Sequence, residues 1–186
     1  MSWSRRRVVK TGGLLAAASA VGVLIRPAHG RGQDSDALKR ITLKNLHTPE
    51  SLDIAFRHGE AYVPDALAAI QVLLRDYRTG EQHPIDPALL DYLYDVAQTV
   101  GVAPVFSVIS GYRSPQTNAM LHERSGEVAK HSLHLEGMAI DIRLTDVSLN
   151  HLHAAALSLG GGGVGYYPES DFVHIDVGPV RTWSGT

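Results

Sequence analysis

The sequence predicts an α+β domain with a largely antiparallel sheet flanked by helices, and two observations support this class. Segments with apolar residues at helical spacing and segments with alternating apolar and polar residues follow one another in mixed order. The connections between them become tight late in the chain, which favours antiparallel neighbours. The 186 residues suffice for one domain.

Local signals predict the individual elements. Pro64 and the pair Asp86-Pro87 stand at predicted helix starts, because proline suits the first helical position and aspartate caps a helix. The inward face of the first helix should carry Leu67, Ile70, Leu74 and Tyr77. We expect further helices after Pro115 and over residues 147–159, and strands at residues 52–56, 61–63, 105–109, 139–144, 164–167 and 172–177.

The composition narrows both the class of protein and the kind of metal site. Hydrophobic residues make up 44% of the chain and charged residues 19%, as in a globular protein with a core. Five of the 17 Lys and Arg residues and none of the 19 acidic residues lie in residues 1–30, so the remainder has a formal charge of −7. Such an acidic body argues against nucleic-acid binding. Cysteine is absent, so any metal must be held by His, Asp or Glu, which favours a catalytic site.

The N-terminal segment resembles an export signal. Residues 4–10 match the twin-arginine pattern, and an apolar run follows over residues 12–25. That run is short for a membrane span, which needs roughly 20 residues. Residues 28–30 offer small residues for cleavage.

These features predict the domain organisation. We expect residues 1–30 to be a signal peptide read by the twin-arginine translocase, residues 31–38 to be a polar tail, and residues 39–186 to form the domain. The processed protein should then lie in the periplasm with no membrane-embedded segment. An uncleaved membrane anchor is the alternative interpretation.

One histidine and two predicted strands point toward a metal site. His134 and Asp141 are seven positions apart, with Gly137 between them to permit a sharp bend. Alternation in residues 139–144 turns the isoleucines toward the core and Asp141 away from it, and His174 has the same position in its own strand. If the two strands are neighbours, Asp141 and His174 face one cleft, and His134 reaches it from the preceding loop. Two imidazoles and one carboxylate leave zinc a fourth position for water.

Three motifs resemble the zinc D-alanyl-D-alanine peptidases. They are GYRSP at 111–115, SxHxxGxAxD at 132–141 and FVHxD at 172–176. Shorter segments are similar to the murein endopeptidase K branch of that family, among them GGVGYY at 162–167 and GPVRxW at 178–183. The resemblance extends over nearly all of residues 40–183.

The resemblance implies a fold shared with lysostaphin-type endopeptidases and the N-terminal domain of hedgehog. It implies hydrolysis of peptide cross-bridges between the peptide stems of peptidoglycan, with His134, Asp141 and His174 as ligands of a catalytic Zn²⁺ ion. Arg113 would position a substrate carbonyl or carboxylate, and Ser132 would help to orient it. Two rival functions stay open: a D-alanyl carboxypeptidase of the same fold, and a non-catalytic zinc module that binds peptidoglycan.

The general base is the least defined of the implied roles. Many relatives have a glutamate three residues before the last metal ligand, and here that position is Asp171, which is one methylene shorter. We expect Asp171 to be the base, with Asp176 or a residue outside the motifs as alternatives. Asp176 is better suited to orient a histidine. His131 could stabilise an oxyanion, although its loop position favours simple exposure to solvent.

Replacement of both Arg5 and Arg6 by lysine should block export, because the translocase reads the arginines as an address and not only as charge. The measurement is the periplasmic fraction of the protein after cell fractionation, with Lys10→Arg as the control that keeps the arginine pair. Export of the double-lysine variant at the normal rate would show that the twin-arginine assignment is wrong.

Overall fold

The structure, a computed structural model, describes residues 37–125 and 128–185. The predictions for residues 1–30 and for most of the polar tail lie outside these residues. The described part of the chain forms eight strands: β1 Leu38–Asn45, β2 Ser51–His58, β3 Ala61–Tyr62, β4 Val105–Ser110, β5 Ala139–Leu144, β6 Gly163–Tyr167, β7 Phe172–Asp176 and β8 Arg181–Ser184.

All eight strands join one sheet in the order β3-β2-β1-β4-β5-β7-β6-β8. Neighbours pair antiparallel except at β1–β4 and β6–β8, which are parallel. The predicted α+β class with a largely antiparallel sheet is therefore confirmed.

The helices of the described residues are α1 Pro64–Leu73, α2 Pro87–Val100, α3 Pro115–Ser125 and α4 Leu149–Leu159. The predicted starts of α1 and α2 are confirmed, and the Asp86 carboxylate caps α2 by accepting the backbone N–H of Ala88. Ser148 caps α4 in the same way, accepting the backbone N–H of His151. None of the described helices combines the length and the apolar character that crossing a membrane requires.

Three details differ from the sequence-based prediction. Strands β1 and β8 were not predicted, and β1 begins at Leu38, which was expected to end the polar tail. Helix α1 ends at Leu73, so Tyr77 does not continue its inward face. Instead, the Tyr77 ring stacks on His47 with ring centroids 3.9 Å apart, which gives His47 a structural role. These differences arise because sheet pairing and ring stacking are non-local, whereas periodicity is a local property.

One face of the sheet is apolar and packs against helices. Ile140 and Ile142 of β5 and Val173 and Ile175 of β7 are fully buried in a single hydrophobic core with α2 and α4. Because successive side chains of a strand point to opposite faces, the residues between them face away from the helices. The candidate site forms on that other face.

The segment after α1 holds the loop between β4 and α3. The backbone N–H of Tyr112 donates to the carbonyl oxygen of Leu74 at 2.8 Å. The buried carboxylate of Asp76 accepts the backbone N–H of Ser114 at 2.9 Å and its hydroxyl at 2.6 Å, together with the backbone N–H of Arg78. Asp76 therefore fixes the backbone on either side of Arg113, the residue that enters the site from this loop.

Asp76→Asn should destabilise the fold by about 1.5–3 kcal/mol near neutral pH, the usual contribution of hydrogen bonds to a charged group. Burial alone would raise the pKa of Asp76, but the hydrogen bonds from Ser114, Thr117 and Arg78 lower it to about 2, against an ordinary value of 3.8. A carboxyl group with a lowered folded-state pKa stabilises the protein above its unfolded pKa, and the contribution is lost as the pH falls toward the folded value. The difference in unfolding free energy, measured by chemical denaturation, should therefore shrink between about pH 6 and about pH 2.

The matched control is Asp53→Asn. Asp53 pairs with Arg40 at 2.8 Å, but both side chains are more than half exposed, so its loss should cost less than about 1 kcal/mol. An Asp76→Asn effect that is no larger than the control, or that does not change with pH, would contradict the role assigned to Asp76.

Candidate metal centre

Strands β5 and β7 bring two of the predicted ligands together. In their antiparallel register Asp141 lies directly opposite His174, between the core pairs Ile140–Ile175 and Ile142–Val173. Both polar side chains are at least nine-tenths buried. The sequence-based expectation that the two strands are neighbours and turn these side chains to one side is confirmed.

His134 approaches from a 3₁₀ turn, Leu133–Glu136, that immediately precedes β5. The Ser132 side chain caps this turn by accepting the backbone N–H of His134. The turn ends at Gly137, whose φ of 66° is left-handed and where an added Cβ would lie 2.1 Å from the carbonyl oxygen of Pro84. Glycine is therefore required at this bend on two counts, and the predicted role of Gly137 is confirmed.

Three potential ligand atoms converge at the centre. Nε2 of His134 lies 3.2 Å from Oδ1 of Asp141 and 3.2 Å from Nδ1 of His174. Nδ1 of His174 lies 2.9 Å from the same Oδ1 atom. Among the described residues, one group of potential ligands is arranged so that it could hold a metal ion: His134, Asp141 and His174.

In each of the two histidines, the hydrogen bond of the outer ring nitrogen determines whether the inner ring nitrogen carries a proton or a lone pair. Nδ1 of His134 lies 2.7 Å from the carbonyl oxygen of Gly111, which can only accept, so this nitrogen carries the proton. Nε2 of His174 lies 3.0 Å from the carboxylate of Asp176 and donates to it. Both neutral imidazoles thus turn a lone pair toward Oδ1 of Asp141. With both imidazoles neutral, three acceptor atoms face one another at hydrogen-bond distance, which is the arrangement of a metal-ligand set.

The three groups of the cluster shift one another's pKa values. Burial lowers the pKa of His134 and keeps its imidazole neutral. Burial alone would lower the pKa of His174 too, but the carboxylates of Asp141 and Asp176 raise it. Burial alone would raise the pKa of Asp141, but the electrostatic attraction of His134 and His174 holds it well below its usual range. The donor set of two nitrogens and one carboxylate oxygen suits zinc.

Arg113 holds the second oxygen of the Asp141 carboxylate. Its Nη2 donates to Oδ2 of Asp141 at 3.2 Å and to the hydroxyl of Ser110 at 3.3 Å. Arg113 is itself buried, with 8% of its surface exposed. With Oδ2 engaged, Oδ1 is the oxygen that Asp141 turns toward the two histidines.

A second layer of contacts fixes His174. Asp176 is completely buried, and its carboxylate accepts hydrogen bonds from His174, Arg181 and the backbone N–H groups of Gly163 and Gly178. Burial alone would raise the pKa of Asp176, but these donors lower it below the usual range. Asp176 is therefore a permanent anion that orients the imidazole of His174.

The cluster lines an open cleft of about 420 Å³. Other residues that line it are Arg113, His131, Ser132, Tyr167, Arg181 and Trp183. Arg181 and Trp183 come from β8, and sequence reasoning assigned them no role in the site. Their only signal in the sequence was the GPVRxW segment.

The structure does not place Asp171 itself in the lining of this cleft, although its chain neighbours Ser170 and Phe172 belong to that lining. Asp171 lies in the turn between β6 and β7 with a left-handed φ of 55°, and its side chain is 64% exposed. Its carboxylate pairs with Arg143 at 2.9 Å, and it is not among the cleft-lining residues. The role of Asp171 as general base thus stays a prediction that this geometry does not support. Arg113 and Ser132, in contrast, both line the cleft.

Comparison with known proteins identifies a family. Residues 33–183 match the family described as peptidoglycan L,D-endopeptidase MepK. The protein of that name from Escherichia coli (strain K12) is 42% identical over 181 residues, 97% of each chain, and the one from Shigella flexneri has the same values. A probable peptidoglycan L,D-endopeptidase MepK from Haemophilus influenzae is 40% identical over 184 residues, 98% of this chain and 96% of its own. No solved structure matches.

The family match includes all three motifs of the sequence analysis and every residue of the metal-ligand cluster. The identities extend over nearly the full length of both chains. The resemblance to the murein endopeptidase K branch is confirmed, and this chain belongs to the MepK family of peptidoglycan L,D-endopeptidases.

Proposed function

We propose that this chain is a zinc-dependent endopeptidase that hydrolyses peptide cross-bridges between the peptide stems of peptidoglycan. The observation that carries the proposal is the convergence of His134, Asp141 and His174, a set of two imidazoles and one carboxylate that could hold a metal ion, in the wall of an open cleft. The name shared by relatives that are 40% and 42% identical supports the same substrate for this chain.

The two inner ring nitrogens and Oδ1 of Asp141 would hold the zinc ion. Zinc would supply Lewis-acid chemistry there, because it lowers the pKa of water and polarises a carbonyl group. Arg113 orients the Asp141 carboxylate through Oδ2. As a cation in the cleft wall, Arg113 is also suited to position the substrate carbonyl, with Ser132 nearby.

Hydrolysis needs a group that takes a proton from water and delivers one to the leaving amine. The resemblance assigns this role to Asp171, whose carboxylate is bonded to Arg143 outside the cleft lining. Asp176 is enclosed by donors and has no access to water. His131 lines the cleft and is exposed, and histidine is the side chain that most often acts as a general acid or base. We therefore assign the proton transfer to His131.

A D-alanyl carboxypeptidase of the same fold is the second candidate function. The cleft contains the guanidinium groups of Arg113 and Arg181, and guanidinium groups bind terminal carboxylates well. The products distinguish the two activities, since an endopeptidase separates cross-linked stems whereas a carboxypeptidase releases free D-alanine.

We propose in addition that the protein acts in the periplasm after export by the twin-arginine translocase. The match of residues 4–10 to the twin-arginine pattern supports this localisation, and peptidoglycan as the substrate agrees with it. The Arg5 and Arg6 replacements described above test it.

Digestion of purified sacculi tests the proposed function. The zinc-loaded protein should convert cross-linked muropeptides to uncross-linked ones, detected by mass spectrometry of the released fragments. Release of free D-alanine without loss of cross-links would favour the carboxypeptidase. If the zinc-loaded protein binds sacculi but releases no fragment and leaves all cross-links intact, it is a non-catalytic module.

Two variants in the same assay separate the candidate bases. His131→Gln should lower kcat by about 10²–10⁴-fold, the usual contribution of a general base, with zinc content unchanged. Asp171→Asn should keep kcat within about threefold of the wild-type value, because a surface ion pair contributes little. The reverse pattern would return the role to Asp171 and exclude His131.

Metal analysis tests the zinc ligands directly. The purified protein should contain about one zinc ion per chain, and the double variant His134→Ala/His174→Ala should contain none, since one ligand cannot hold the ion. Removal of zinc by a chelator should lower the Tm of the wild type, because metal that binds only the folded state adds to its stability.

The control double variant is His58→Ala/His151→Ala, which removes two exposed histidines from β2 and α4. It should keep about one zinc ion per chain and the chelator-induced change in Tm. Wild-type zinc content in the His134/His174 variant would exclude the proposed ligand set.

A further inference from the structure

Arg181 lines the cleft and supports the ligand cluster through Asp176, but one edge of its guanidinium group is not used there. Its Nη1 and Nη2 atoms donate to the two oxygens of Asp176 at 3.0 and 2.7 Å, a bidentate contact along one edge of the guanidinium group. Nη1 also donates to the carbonyl oxygen of Pro179 at 3.0 Å. A guanidinium group has five N–H bonds. Three are engaged in this way, so Nε and the second hydrogen of Nη2 have no acceptor among the described residues.

The surroundings hold this second edge in a fixed orientation. The guanidinium carbon lies 4.9 Å from the centre of the Trp183 ring, and Trp183 in turn lies beside His174, with ring centroids 5.1 Å apart. A Cβ at Gly163 would lie 2.5 Å from Nη1 of Arg181 and 2.4 Å from Oδ2 of Asp176, so only glycine leaves room for this contact. The side chain is nevertheless 43% exposed and lines the cleft.

The position of Arg181 relative to the metal ligands defines where a bound group would lie. Arg181 and His174 donate to the same oxygen, Oδ2 of Asp176, at 2.7 and 3.0 Å. Arg181 therefore lies close to the outer nitrogen of His174, and a substrate group that accepts from its second edge lies in the same cleft as the ligand cluster. A carboxylate fits such an edge, because its two oxygens match two parallel N–H donors.

The chemistry of an L,D bond supplies such a carboxylate. An amide that joins the carbonyl of an L-residue to the amine of a D-residue has the carboxyl group of the D-residue one carbon away from its nitrogen. The other guanidinium group of the cleft, Arg113, is a poorer receptor, since it is buried and donates to Asp141 and Ser110.

We propose that Arg181 binds a free carboxylate on the substrate residue that supplies the amine of the scissile amide. The cleft then selects peptides in which this carboxyl group is neither amidated nor extended, and β8 is the strand that sets the specificity. The inference rests on the proposed function for the nature of the scissile bond. Its test measures binding and is independent of turnover.

The probes are two forms of acetyl-L-lysyl-D-alanine in which the scissile carbonyl is reduced to a methylene group, so that neither is cleaved. One has a free C-terminal carboxylate and the other a carboxamide. Calorimetry with the zinc-loaded full chain should give a Kd about 10- to 100-fold lower for the acid, as expected for a charge-assisted bidentate contact. Arg181→Met should bind the two peptides with equal Kd, and Arg181→Lys should keep part of the preference.

The matched control is Arg40→Met, which removes an exposed arginine from β1 and should keep the full preference for the acid. Equal binding of the acid and the amide by the wild type would overturn the proposal, as would a preference that survives in Arg181→Met. The proposal is tested by the ratio of the Kd values for the amide and the acid, which is measured first in the wild type. A general loss of affinity in Arg181→Met would weaken the binding of both peptides and would not by itself change this ratio. Failure of the proposed function has a different signature: intact cross-links in sacculi although the wild type still prefers the acid.

Discussion

The site depends on one interaction, the antiparallel pairing of β5 with β7 that sets Asp141 directly opposite His174. The isoleucine and valine residues on either side of each are buried against α2 and α4, so a shift of one residue would turn polar groups into the core. The hydrophobic register therefore holds two ligands in place. The 3₁₀ turn before β5 adds His134 to the same point.

The ligand atoms are surrounded by residues that hydrogen-bond to them, and these residues are in turn held by further contacts. At the centre, potential ligand atoms from His134, Asp141 and His174 face one another and could hold a metal ion. Around them, the carbonyl oxygen of Gly111 and the carboxylate of Asp176 bind the outer ring nitrogens of the two histidines, and Arg113 binds Oδ2 of Asp141. Arg181 holds Asp176 in place through hydrogen bonds to both of its carboxylate oxygens. Because each set of contacts limits the orientation of the next, the inner atoms are preorganised for a metal ion.

One side of the cleft is formed by loop residues and the other by the last strand of the sheet. The side of Arg113 and Ser132 belongs to loops, which are held by the carboxylate of Asp76 and by the Ser132 cap of the 3₁₀ turn. The side of Arg181 and Trp183 belongs to the last strand of the sheet. The residue that we expect to select the substrate, Arg181, is therefore coupled through Asp176 to the metal ligand His174.

The sequence by itself determined the local features: the caps of α2, the alternation in β5 and β7, the glycine bend at Gly137 and the three ligands that these patterns turn to one side. Each is set by the spacing of residues that are close in the chain. Only the tertiary structure decided that Asp171 lies in an exposed turn paired with Arg143, and that Arg181 and Trp183 of β8 form a wall of the cleft. The parallel pairing of β6 with β8 is a contact between separate segments, and no local periodicity encodes which side chains it brings beside His174.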